Sequence, residues 1–156
     1  MEAERQEFEM NPWKLTWNDG MSVGIQDVDE DHRQFIHLVN QFNSAVADRM
    51  SSEEVKKRLQ DILDDAVKHF DHEEKLFCEW GYPDAADHAC IHAQIIQTLQ
   101  DIKKNCITYG FDAEWIDAGL QIKDALISHI LNEDMKYADY CRLQRLLNPQ
   151  ENLPLI

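Results

Sequence analysis

From about residue 27 onward, apolar side chains return every three or four positions, the period of a helix with one face turned to a core. The first stripe reads Val28, His32, Phe35, Val39, Phe42 and Val46. Asp27, with Glu30 three positions later, predicts an acidic cap at its start. Ser51 and Glu54 have the spacing of a capping box. They open a second stripe of Val55, Leu59, Ile62, Ala66, His69, Glu73 and Leu76, which Gly81 stops. Pro83 and Asp84 open a third, with Ala85, His88, His92, Ile95, Leu99 and Ile102, closed near Gly110. Asp112 is placed to cap a fourth, whose inward positions read Trp115, Ile116, Leu120, Leu126 and His129. Asn148-Pro149 ends any helical tail. Period-two alternation and hairpin turn pairs are essentially missing, so the chain reads as all-α.

Links of only a few residues make successive helices antiparallel neighbours. The expectation is an up-down-up-down antiparallel four-helix bundle with an N-terminal arm and a short C-terminal helical tail. Residues 1–156 form a single domain in this reading, with 1–24 as the arm and 25–147 as bundle and tail. Trp13 and Trp17 in the arm cover apolar surface, with a disordered leader as the alternative for residues 1–11. Leu143, Leu146 and Leu147 in the tail either pack on the bundle or lead onward.

Composition narrows the classes. A chain of 156 residues buries enough surface to fold without disulfide staples. Cys78, Cys90, Cys106 and Cys141 lack CxxC spacing and are expected to be reduced, structural thiols. No apolar run approaches a membrane span, and the start is acidic rather than a signal peptide, so a cytoplasmic location is expected. Thirty acidic against fifteen basic residues give a net charge of −15, which repels nucleic acid and anionic lipid.

Against that background seven polar residues stand out on the inward stripes: His32, His69, Glu73, His88, His92, His129 and Asp134. Imidazoles and carboxylates are costly to bury unless something satisfies them, and a metal centre does so. His69 with Glu73, and His88 with His92, are four apart and so share a face one turn apart. His129 and Asp134 are five apart, an offset of about 140° on a regular helix. Both can face one centre if the helix bulges or ends between them. Cys90 lies two positions from either neighbouring histidine and turns to another face.

Seven donors exceed the needs of one ion, so two are implied. Imidazole plus carboxylate suits iron, zinc, copper or manganese rather than calcium or magnesium. Two carboxylates can bridge the pair, and five histidines make the ions unequal, three against two. The poorer ion is the natural docking point for a small ligand. Phe70, Leu126 and Ile130 can wall it off from water. His37, His72 and Glu74 are expected at the surface, with a place behind the ligands as the alternative for His72.

The ordered motifs are Trp17, Val23-Gly24-Ile25, Asp29 and His32, then His69-Phe70-Asp71-His72-Glu73-Glu74, Tyr82-Pro83, His88, His92, His129, Asp134 and Tyr137. Together they resemble the hemerythrin family, and within it the bacteriohemerythrins, over nearly the whole chain from Trp17. The resemblance implies a non-haem pair of iron ions with an oxo or hydroxo bridge that takes up dioxygen reversibly. His88, His92 and His129 would hold one iron, and His32 and His69 the other, where dioxygen or a small anion binds. Glu73 and Asp134 would bridge. Leu126 and Tyr137 match positions beside the irons. Oxygen storage, transport or delivery is the implied role, with an oxygen or redox sensor as the alternative. No Glu-x-x-His pair of the kind found in carboxylate-rich di-iron enzymes occurs, so a binding protein is expected rather than an enzyme.

Overall fold

The computed structural model describes residues 14–109 and 112–148. Its elements are α1 (Gln26–Ala47), α2 (Ser52–Trp80), α3 (Ala85–Tyr109) and α4 (Asp112–Ser128). A π-helical turn (His129–Asp134) then leads into α5 (Met135–Leu147). No strand occurs among the described residues, and none of their helices is long and apolar enough to cross a membrane. Each of α1 to α4 packs on two others, α1 on α2 and α4, and α3 on α2 and α4. That ring of neighbours is the expected four-helix bundle.

Local chemistry explains the element ends. Ser51 accepts a hydrogen bond from the Glu54 backbone N–H at 3.2 Å, the first half of the capping box. Glu54 turns outward to Arg58 instead of completing it. Gly81 ends α2 in the left-handed region, at φ 62°, and the following Tyr82 N–H returns to the Phe77 carbonyl. At α1 the expected Asp27 cap is not made: Ile25 occupies the cap position with no side-chain bond. Asp29, one turn in, reaches back to the Val23 N–H at 2.8 Å and the Ser22 hydroxyl. A carboxylate there closes the entry loop while still lying near the positive end of the helix.

The described part of the arm, from Lys14 onward, lies on the bundle. Asn40 of α1 takes the Leu15 N–H and donates to the Leu15 carbonyl, both at 2.8 Å, replacing the backbone partners an isolated segment lacks. Trp17 packs against the core, and the Arg33 guanidinium sits 4.5 Å over its ring. Trp13, Gly110, Pro149 and residues 1–11 lie outside the described residues, as does the Asp112 side chain.

The stripes of α1, α2 and α3 are buried much as the periodicity predicts, with Phe77 rather than Leu76 closing α2. On α4 the predicted face needs correction. Ile116 and Leu120 are 41% and 38% exposed, whereas Trp115, Ala118, Ile122 and Leu126 face inward. The reason is a close approach to α1. A methyl group on Gly119 would lie 2.1 Å from the Asn43 side-chain oxygen and 3.4 Å from the Phe42 ring. Small residues, not the largest aliphatics, are what that contact accepts. In α5, Tyr137, Ala138 and Cys141 pack inward, while Leu143, Leu146 and Leu147 remain exposed rather than packed.

Two apolar clusters result. The larger includes Phe35, Phe70, Leu126 and Ile130, and the smaller includes Val28, Phe77, Tyr82 and Tyr137. Rings of both clusters lie against the seven polar residues: Phe70 on His92, Phe77 on His88.

Candidate metal centre

All seven are buried: His32, His69, Glu73, His88, His92, His129 and Asp134. Every histidine of the set turns its Nε2 inward. His69 Nε2 lies 2.9 Å from Glu73 Oε1, and His92 Nε2 lies 3.3 Å from the same oxygen. Asp134 Oδ1 is 3.1 Å from His88 Nε2 and 2.9 Å from His129 Nε2. Its other oxygen is 3.1 Å from His32 Nε2. His32 and His69 approach each other at 3.1 Å, Nε2 to Nε2.

These are near approaches rather than a satisfied hydrogen-bond network. Nε2 of His88, His92 and His129, Oε1 of Glu73 and both Asp134 oxygens are buried without a hydrogen-bond partner. Buried polar atoms left in that state cost stability each time, and native proteins rarely keep so many together. Lone pairs converging on shared points are what a cation satisfies. The donor atoms form two overlapping groups, each within 4.8 Å: His88, His92, His129, Glu73 and Asp134, and His32, His69, Glu73 and Asp134. The carboxylates belong to both groups, and the two oxygens of Asp134 divide between them.

Asp134 reaches this position through the π turn. Along a regular helix the five-residue step from His129 would aim it well away. The wider turn His129–Asp134 absorbs the extra residue, with Leu131 and Asn132 bulging to the exposed side.

Two of the outer nitrogens find partners that the hydrophobic pattern does not disclose, whereas Nδ1 of His32 and of His129 is buried with none. His69 Nδ1–H donates to Asp31 Oδ2 at 3.0 Å, and His72 Nδ1 shares that oxygen at 2.8 Å. His92 Nδ1–H donates to Glu74 Oε1 at 2.9 Å. Glu74 and His72 are thus partly exposed, as expected of surface residues, yet each is tied to the centre's surroundings. Both carboxylates directly neighbour a site residue in sequence, and that adjacency is the one available signal among thirty acidic residues. His37 is exposed, and Cys90 is exposed outside both donor groups. Cys78 is exposed too, while Cys106 and Cys141 are buried, and all four are free thiols.

Electrostatics follow the burial. Desolvation opposes a charged His69, but Glu73 and Asp31 outweigh it and push its pKa up to about 10. His129 is likewise raised, against burial, by Asp134 and Glu73. Burial raises Asp134 and Glu73, yet the surrounding imidazoles win and hold both below the ordinary carboxylate range. Asp31 is lowered in the same way, against its own desolvation, by His69 and His72.

The residues expected to wall a ligand pocket divide. Phe70 stacks on His92 with centroids 3.9 Å apart, stands edge-on to His129 at 5.6 Å, and packs in one cluster with Leu126 and Ile130. Tyr137 stands in the other cluster and donates its hydroxyl to Glu73 Oε2. There its hydroxyl bond holds a carboxylate of the centre in place. Burial, with Glu73 next, keeps the Tyr137 hydroxyl well above its ordinary pKa, so it stays a donor.

An antiparallel bundle with imidazoles and carboxylates of four helices converging in its core defines a metal-binding four-helix protein. The hemerythrin HHE cation-binding domain matches residues 23–141, and the chain belongs to the hemerythrin family. Its relatives include a hemerythrin-like protein of Naegleria gruberi, 32% identical over 127 residues, covering 81% of this chain and 92% of the relative. A bacteriohemerythrin of Stenotrophomonas maltophilia is 29% identical over 133 residues and covers 80% of each chain. A crystal structure of wild-type hemerythrin superposes with a TM-score of 0.70 at 24% identity, covering 80% of this chain and 95% of that one.

Proposed function

We propose that this chain holds two iron ions and binds dioxygen reversibly, serving oxygen storage, transport or delivery rather than turnover. The observation that carries this reading is the pair of overlapping donor groups that share Glu73 and Asp134. In this reading His88, His92 and His129 would hold one iron and His32 and His69 the other, with Glu73 and Asp134 available to both. The donor chemistry fits: imidazole and carboxylate suit iron, and the two-histidine group leaves room for a small ligand. The irons, when bound, supply the electrons and the coordination position that reversible dioxygen binding requires.

The chain's own residues prepare the surroundings. Asp31 and Glu74 hold His69 and His92 with Nε2 turned inward. Tyr137 fixes Glu73. Phe70, Leu126 and Ile130 keep the adjoining space dry, so a charged product of oxygen uptake is not drawn off by water.

A second reading, an oxygen or redox sensor that reports to a partner, draws on the exposed Leu143, Leu146 and Leu147 at the end of α5. One experiment separates them: iron content per chain, with visible spectra taken without oxygen, in air, and after oxygen removal. The expected result is two irons, a colourless reduced protein, and a colour in air that fades when oxygen is withdrawn. Slow, irreversible oxidation alone would favour sensing, and absence of iron uptake would end both readings.

A further inference from the structure

On the α2/α3 face lies an open groove of about 440 Å³. Its walls include Val67, Phe70 and Glu74 of α2 and Ala89, His92 and Ala93 of α3. Two of these residues belong at once to the groove and to the surroundings of the metal cluster. Phe70 and His92 are both almost fully buried, and their rings lie parallel, 7° apart, at 3.9 Å. Behind Phe70 stand His69, at 5.8 Å between ring centroids, and His129 at 5.6 Å. His92, one of the seven, thus lines the groove itself, and Phe70 stands between the groove and the rings of His69 and His129.

We infer that this groove is the passage by which a small neutral molecule such as dioxygen reaches the centre, with Phe70 as its gate. The inference rests on the oxygen-binding reading above. Three features support it. Ala89 and Ala93 leave the α3 wall shallow where larger residues would fill it. The Phe70 ring is held by stacking and apolar contacts alone, with no hydrogen bond to fix it in place. Beyond the ring, Leu126 and Ile130 belong to the same apolar cluster, so a molecule passing Phe70 stays in a dry environment. The rim carries Asp71 and Glu74, and with a net charge of −15 this mouth repels anions while leaving a neutral diatomic unaffected.

Stopped-flow kinetics of the iron-loaded protein test the passage. Ala93→Trp fills the groove from a wall outside the donor groups. Association and dissociation rates of dioxygen are expected to fall together by about tenfold, with their ratio and the iron content unchanged, as for any gate. Phe70→Leu should raise both rates. Xenon-pressurised crystals of the iron-loaded protein supply a readout independent of oxygen binding: xenon is expected on the groove floor against Phe70 and absent there in Ala93→Trp. Unchanged rates in Ala93→Trp, or xenon reaching the core with the groove filled, would overturn the passage. A protein that holds iron yet binds no dioxygen would instead sink the functional reading, and the xenon positions would still decide the groove.

Discussion

An imidazole that turns Nε2 into a buried cluster has a second nitrogen whose proton must go somewhere, and at His69 and His92 it goes to a partly exposed carboxylate. Such a bond fixes the tautomer that leaves Nε2 free and makes the ring a better donor. Asp31→Asn and Glu74→Gln keep the size of each side chain but remove its charge. Each should weaken metal affinity by about 10–100-fold while leaving the helical fold intact. Competition with a chelator measures the loss, and affinity equal to the parent in both variants would show that these carboxylates do not tune the site. Neither residue stood out in the hydrophobic pattern, because a helix-period stripe reports only which side chains face inward. Asp31 and Glu74 sit one position off that stripe, at its edge, where any of thirty acidic residues would look alike.

At the scale of elements, the five-residue step from His129 to Asp134 was legible as a problem, and the π turn is its solution. The bulge lets Asp134 keep the angular phase a four-residue step would give. Deleting Leu131, exposed on the outer side of that turn, should therefore yield a regular helix with Asp134 still aimed inward and metal still bound. Metal content after purification checks this, and its loss would mean that the bulge geometry itself, not the phase, positions the carboxylate. The contact of α4 with α1 offers a second test. Gly119→Ala gains helix propensity of up to about 1 kcal/mol but overpacks against Asn43 and Phe42, at a cost of about 1–3 kcal/mol. A lowered urea midpoint is expected, and a raised one would show that the Asn43 side chain gives way freely. The same contact is why Ile116 and Leu120 misled the periodic reading: helix–helix distance is not written in the hydrophobicity of one helix.

For the whole molecule, the polar layer between two apolar clusters ties stability to pH and metal. Without metal, the raised pKa of His69 means its charged form favours the fold fully below its ordinary pKa of 6.5, a contribution lost as pH climbs through about 10. The lowered pKa values of Glu73 and Asp31 work at the other end. Their contribution is present above the ordinary carboxylate range and is lost as pH falls through their depressed values. Metal-free protein should thus be most stable between those limits, in mildly acidic solution. A metal ion held by His69 would displace that proton, so loading near neutral pH should release protons to an indicator dye, and the alkaline loss should disappear. Urea midpoints from pH 5 to about 10, with and without iron, are expected to diverge as pH rises. Parallel profiles and no proton release would show that His69 does not meet the metal.

Periodicity alone was enough for the number of helices, the inward phase of the first three and the inward place of His32, His69, Glu73, His88, His92 and His129, whereas Asp134 needed the π turn. Capping chemistry likewise marked where α2 begins and ends, since Ser51 and Gly81 act through their own backbone neighbours. Packing between helices decided the rest: the face α4 presents to α1, the division of donors into two groups sharing Glu73 and Asp134, the carboxylates behind the imidazoles, and the groove closed by Phe70. Those features depend on distances between segments far apart in the chain. A one-dimensional pattern carries the period of each helix but not the separation and rotation at which two helices meet.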